Sequence, residues 1–197
     1  MITEIYLVRH AHSDYSSGDD ETRALSERGR IDALAVTELL LKEHIQVVCS
    51  SPYVRAVQTV EGIANAVAVP IDFEERFRER IFAERGYIVE DPLEEMERGF
   101  IEPDFGFPGG ESNRDVERRG VSAVNRVLRK YYGKRIAIGI HGGIMTIIMH
   151  HYDSRFDANF LRELPRPDIY KLTFENDNYI GAEKIGAFGD KSHAEST

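Results

Sequence analysis

The stretch Leu7-Val8-Arg9-His10-Ala11-His12-Ser13 decides how the rest of this chain is read. Ile5, Tyr6, Leu7 and Val8 form a short apolar, partly β-branched run, which predicts a buried strand. The strand ends in a cation and an imidazole side by side. In an open α/β sheet, ligands bind beyond the carboxyl ends of the strands, so Arg9 and His10 stand where a site is expected. A guanidinium matches phosphate oxygens with a bidentate fork, and a neutral imidazole is a nucleophile near pH 7. Taken alone, an Arg-His pair reads as a basic surface step after a strand. The downstream chain changes that reading.

Further strands and helices alternate. Ser26 is a helix N-cap with Glu27 in the first turn, and Ile31, Leu34, Ala35, Leu39 and Leu41 are expected to form that helix's apolar stripe. Ile45 to Cys49 predicts a second strand. It runs into Ser50-Ser51-Pro52, where Ser51 fits a cap and Pro52 the first helical position. Ala56, Val60, Ile63, Ala64 and Val67 recur at helical spacing, and Val69 to Phe73 predicts a third strand. Ser112 and Asp115 form a capping box ahead of a helix whose apolar face is Val116, Ala123, Val124, Val127, Leu128 and Tyr131. Ile136 to Ile140 is a strongly apolar strand ending in His141-Gly142-Gly143, which opens another helix. Ile169 to Phe174 and Tyr179 to Glu183 predict two last strands joined by a turn at Glu175 to Asn178. The last dozen residues, small and polar, are expected to fray. The alternation predicts an α/β fold, a three-layer αβα sandwich with a mostly parallel central sheet.

At 197 residues, one domain spanning 1–197 is expected. Segment 83–111 differs from the rest: nine acidic residues face two basic ones, Arg85 and Arg98, among three prolines. It is expected to be an insertion with a short helix, covering the sheet edge as a lid over the site. The formal net charge of −9 argues against nucleic acid or an anionic membrane as partner. A single cysteine, Cys49, and the absence of a signal-like N-terminus lead to an expectation of a cytoplasmic protein. Nothing in the sequence sets the oligomeric state.

In a parallel sheet, Arg9 and His10 after the first strand, Arg55 after the second and His141 after the late strand converge on one edge. With the free N–H groups at Gly142, they would cradle a phosphate. Phe77-Arg78-Glu79-Arg80 follows the third strand, and Glu79 could donate a proton if burial makes it basic enough.

These elements resemble the histidine phosphatase superfamily, branch 1, the phosphoglycerate-mutase-like proteins. Its Arg-His-Gly signature is matched by Arg9-His10-Ala11, and its Leu-Ser-x-x-Gly element by Leu25 to Gly29. Its Ser-x-x-x-Arg-Ala-x-Gln-Thr element is matched by Ser51 to Thr59, and its acid-bearing segment by Phe77 to Glu79. Pro-Gly-Gly-Glu-Ser stands at Pro108 to Ser112, and the second His-Gly-Gly at His141 to Gly143. The resemblance implies a phosphoglycerate-mutase-like fold and catalysis without metal or cofactor. It implies that His10 takes the phosphoryl group, that Arg9, Arg55 and His141 hold its oxygens, and that Glu79 serves as acid and base. It also implies that the second ring nitrogen of His10 donates to a backbone carbonyl. Ala11 departs from the family's glycine and His12 from its usual Glu or Gln; His12, Ser13 and Thr22 are further candidates for substrate contact. Glu75, Glu84 and Glu111 are rival acids.

Three functions remain open on these residues. The first is hydrolysis of a small phosphomonoester or phosphopeptide. The second is a phosphoglycerate-type mutase, for which the chain is short and its cover acidic. The third is a non-catalytic phospho-ligand binder, which has no use for Glu79. The acidic cover further suggests a singly phosphorylated, less anionic substrate.

Overall fold

The computed structural model describes residues 1–16, 19–84, 86–186 and 188. Arg85 and the expected frayed tail from 189 onward lie outside the described residues. Six strands form one sheet: β1 (Ile2–Arg9), β2 (Val47–Ser50), β3 (Ile71–Phe73), β4 (Arg135–Ile140), β5 (Asp168–Glu175) and β6 (Asn178–Lys184). Their spatial order is β3-β2-β4-β1-β5-β6. The first four run parallel; β5 and β6 are an antiparallel hairpin beside β1. The six helices are α1 (Glu27–Lys42), α2 (Val54–Ala66), α3 (Pro92–Ile101), α4 (Asn113–Lys130), α5 (Gly142–Tyr152) and α6 (Ala158–Glu163).

The period-2 alternation of strand side chains builds the layers. Ile5 and Leu7 of β1, with Ile136, Ile138 and Ile140 of β4, meet α4 and α5 on one face. Tyr6 and Val8, with Ala137, meet α1 and α2 on the other. The expected three-layer sandwich is the observed one. Each fully buried Ile, Leu or Val is worth about 1.5–3 kcal/mol, whereas an exposed ion pair such as Arg98–Glu102 contributes at most about 1 kcal/mol. The two sheet faces therefore decide the fold, and the many surface charges do not.

Local signals set most boundaries. Ser26 caps α1 by accepting the Gly29 N–H, and Ser112 with Asp115 forms the reciprocal box on α4. Two expectations fail. The apolar stripe of α1 is wrong: Ile31 and Leu34 are 64% and 65% exposed, while Ala33, Val36 and Leu40 are buried. Several apolar residues share this helix, and the tight approach of α2 selects the face with the smaller ones. Pro52 does not open α2 either. That helix starts at Val54 with Tyr53 as an uncapped N-cap, and the Ser51 hydroxyl accepts the N–H of Tyr53 just ahead of it. Helix α6 was not expected at all, although Asp157 caps it through its side chain.

The acidic segment forms α3, capped by Asp91 with Pro92 at its start, and rests on α4 and α6. Among the described residues, no helix is long and apolar enough to cross a membrane.

Candidate active site

Strands β2, β4 and β1 are adjacent and parallel, so their carboxyl ends open on one edge. Neighbouring strands lie about 4.8 Å apart, which brings the adjacent side chains 9 and 10 together with 55 and 141, although 45 to 132 residues separate these three positions along the chain. The expected constellation is assembled. Arg55 Nε donates to His10 Nε2 at 3.2 Å, and the rings of His10 and His141 lie 5.3 Å apart, edge to face. Gly142 runs against the Arg9 guanidinium: a Cβ there would sit 2.8 Å from it.

The remaining letters of the motifs hold this geometry. Thr59 Oγ1 accepts the Ala11 N–H at 3.0 Å, and Gln58 Oε1 accepts the Leu25 N–H at 2.8 Å. Both come from α2, so the helix that carries Arg55 also pins the loop leaving β1.

His10 Nδ1 is 2.7 Å from the Ala11 carbonyl, so it is the donor nitrogen and Nε2 carries the lone pair. Burial pushes the His10 pKa well below its ordinary value, the Arg55 cation lowers it further, and the Ala11 bond works only partly against them. His141 is likewise held neutral, by burial first and then by His10 and Arg55. Burial and Arg166 bring Arg9 down to about 10, which leaves it a cation at neutral pH.

Glu79 follows β3 and a single 3₁₀ turn (Glu75–Phe77). Its carboxylate accepts the N–H groups of Gly143 and Ile144, each at 3.0 Å, at the positive end of α5. A Cβ at residue 143 would stand 2.7 Å from Glu79 Oε1, so glycine is what admits the carboxylate. Of the rival acids, Glu111 is occupied by Arg78 and Arg119, and Glu75 is exposed on its turn.

The site is more closed than the sequence suggests. His10 is 5% exposed and Arg55 2%. Arg55 donates to the Asp20 carbonyl, and its other terminal nitrogen lies 3.2 Å from the Asp20 carboxylate. Arg9 donates to the carbonyls of Leu164 and Pro165. Two buried nitrogens, Arg9 Nε and His141 Nδ1, have no hydrogen-bond partner among the described residues. A buried polar nitrogen without a partner is costly; Arg9 Nε is a donor that an oxyanion would satisfy, and His141 Nδ1 would be another in the tautomer that carries its proton there.

A cavity of about 610 Å³ adjoins this cradle and is reached by Arg9, Glu79 and Gly143. The acidic segment contributes Pro92, Leu93 and Met96 to its wall and none of its carboxylates; Glu97 pairs with Arg162 and Glu102 with Arg98. The remaining charges at the cavity are arginines 28, 162 and 166. The acidic composition of the cover is therefore not repeated in the residues that line the cavity. His12 lines the cavity as expected, with Nδ1 2.9 Å from Ser26 Oγ. Ser13 and Thr22 are engaged in their own loop: Ser13 accepts from Arg23 and Thr22 donates to Asp19. Arg28, Arg162, Arg166 and Asp20 were missed because no local pattern marks them.

The family model of the histidine phosphatase superfamily (branch 1) matches residues 5–181. A metal-independent phosphoserine phosphatase of Arabidopsis thaliana is 29% identical over 209 residues, covering 99% of this chain and 84% of that protein. Among solved structures, a mycobacterial glucosyl-3-phosphoglycerate phosphatase in complex with inorganic phosphate superposes with TM-score 0.71 at 20% identity, over 92% of this chain and 94% of that one. A histidine-to-alanine variant of the Entamoeba histolytica phosphoserine phosphatase, in complex with phosphoserine, gives 0.72 at 16%, over 93% and 96%. With the motif residues gathered at one sheet edge and the family model covering most of the chain, this protein belongs to the histidine phosphatase superfamily, branch 1.

Proposed function

We propose that this protein hydrolyses a small phosphomonoester bearing a second anionic group, through a phosphohistidine on His10. The observation that carries this reading is the state of His10: its Nδ1 proton is committed to Ala11, and its Nε2 lone pair faces Arg55 beside Glu79 and the two unpartnered nitrogens.

The chemistry follows from that placement. His10 Nε2 attacks phosphorus as the ester P–O bond breaks, and Glu79 gives a proton to the departing oxygen. Arg9, Arg55 and His141 meet the growing charge on the equatorial oxygens. Water then attacks phosphorus, Glu79 takes its proton, and the P–N bond breaks to free His10 and inorganic phosphate. Each of these groups is a side chain of this chain, so turnover of p-nitrophenyl phosphate is expected to persist in EDTA. Quench in alkali, where a P–N bond is stable, should trap one phosphoryl group per chain; its absence during turnover would overturn the covalent route.

The second anionic group is inferred from the cavity. After a phosphate dianion has met Arg9 and Arg55, the cavity still offers Arg28, 3.8 Å from Asp32, and Arg166, which donates to the Tyr15 hydroxyl, beside His12, where the family resemblance leads one to expect Glu or Gln. The phosphoserine and phosphoglycerate esters named for the relatives carry a carboxylate at that reach. Arg28→Ala and Arg166→Ala should each raise KM for phosphoserine up to about tenfold, the loss of a charged hydrogen bond, and leave KM for p-nitrophenyl phosphate within about twofold. Equal effects on both esters would remove the second-anion reading.

Asp20 holds Arg55 in the ligand-free chain, so an incoming phosphoryl group must displace its carboxylate. Asp20 is 55% exposed, and an ion pair of that exposure is worth up to about 1 kcal/mol. Asp20→Asn is therefore expected to tighten inhibition by inorganic phosphate up to about fivefold. Weaker inhibition would mean that Asp20 positions Arg55 instead of competing for it.

A further inference from the structure

We propose that Ser51 fixes the tautomer of His141, presenting its Nδ1 proton to the phosphoryl group. The inference rests on the phosphohistidine reading of the site, and it concerns a residue to which no role has yet been given.

Ser51 directly follows β2 and is fully buried, as is His141. Its hydroxyl oxygen lies 2.8 Å from His141 Nε2 and accepts the Tyr53 N–H at 3.3 Å. That N–H points at the oxygen's lone pairs, which leaves the hydroxyl proton for the imidazole. A neutral imidazole that accepts at Nε2 carries its proton at Nδ1, and Nδ1 is the nitrogen without a partner among the described residues.

The opposite assignment fails on the count of buried groups. With the proton on Nε2, the Ser51 oxygen would accept twice and its own proton would have no acceptor. Nδ1 would then turn a lone pair, not a donor, toward an incoming anion. Two polar groups would be left unsatisfied in a site with almost no solvent, each at substantial cost. The proposed assignment leaves one donor open, and a phosphoryl oxygen closes it. Burial, with His10 and Arg55 nearby, keeps the ring neutral, so it is the direction of this single proton that determines whether His141 attracts or repels the substrate.

Ser51 thus acts through His141 and is a positioning residue. Ser51 and Arg55 stand four residues apart, so one strand-to-helix junction supplies a cation to the phosphate and orients a donor from another strand.

The test is the ¹⁵N spectrum of the histidine-labelled full chain without ligand. The His141 resonances, assigned by their loss in His141→Gln, should show a protonated, pyrrole-type Nδ1 and a pyridine-type Nε2. A pyrrole-type Nε2 in the folded wild type overturns the proposal without need of any variant. In Ser51→Ala the two tautomers should mix, with kcat for p-nitrophenyl phosphate falling about tenfold, less than the ~10²–10³ expected when an oxyanion donor is deleted outright. KM should move less than kcat, because the donor matters most as charge grows. Orthovanadate inhibition should weaken in step with kcat. A drop in kcat with an unchanged His141 spectrum would make Ser51 a packing residue and overturn the inference. If wild type shows the expected tautomer but forms no phosphoenzyme, the inference on Ser51 stands and the hydrolytic reading fails.

Discussion

His10→Ala is expected to lower turnover of any phosphomonoester by at least about 10⁴-fold, the scale seen when a covalent nucleophile is deleted, and to abolish the alkali-stable, acid-labile phosphoryl label. Nothing else near the cradle can replace it. His141 is the other imidazole within reach, but its Nε2 faces Ser51, and Glu79 is bound to the amides that open α5. The fold should survive, because the loop after β1 is pinned through Ala11 and Leu25 to α2 and not through the His10 ring. The check is a comparison of turnover, phosphoryl trapping and melting temperature in one preparation. A variant that melts like wild type yet keeps a tenth of its rate would place the nucleophile elsewhere.

The second large effect belongs to Glu79→Gln, with an expected loss of about 10²–10⁴-fold on alkyl phosphates. The amide is nearly isosteric; its one oxygen can still accept from Gly143 or Ile144, which bond different carboxylate oxygens in the wild type, so one of those bonds is given up along with the transferable proton. The loss should depend on the leaving group. p-Nitrophenolate departs without a proton, so the label should form at near wild-type rate from p-nitrophenyl phosphate and then accumulate, since water activation is impaired. An alkyl ester such as phosphoserine should fail at the first step. Equal losses on both esters, with no accumulation of label, would assign the acid–base role to another group. Glu111→Gln serves as the comparison. Its carboxylate is buried, which alone would raise its pKa, but the Arg119 and Ile81 hydrogen bonds hold it low. It should affect stability more than rate.

Much of this was legible in the chain itself. The β1 stretch alternates Ile5, Tyr6, Leu7 and Val8, and its two apolar faces required helices on both sides of the sheet. The side chains that matter most stand at strand ends, because only there does a rigid element point a residue at a common edge; Arg9, His10, Arg55 and His141 could be picked for that reason. Ser26 and the Ser112–Asp115 pair were readable as caps because capping is satisfied within three residues.

The misreadings share a cause. Helix α1 has more apolar residues than one face can bury, and periodicity could not choose between Leu34 and Val36. The acidic segment was read by composition, which counts carboxylates but not their directions, and so its apolar wall on the cavity was invisible. Arg28 and Arg166 lie 138 residues apart and meet only because β5 folds back beside β1.

The sequence by itself determined the succession of strands and helices, the caps, and the residue types at strand ends, because each depends on neighbours within a turn or a pleat. Tertiary structure alone decided which face of α1 is buried, that Asp20 sits on Arg55, that Ser51 meets His141, and that arginines crowd the cavity beneath an acidic helix. Those are contacts between distant segments, and their partners are chosen by the strand order β3-β2-β4-β1-β5-β6, which no local pattern encodes.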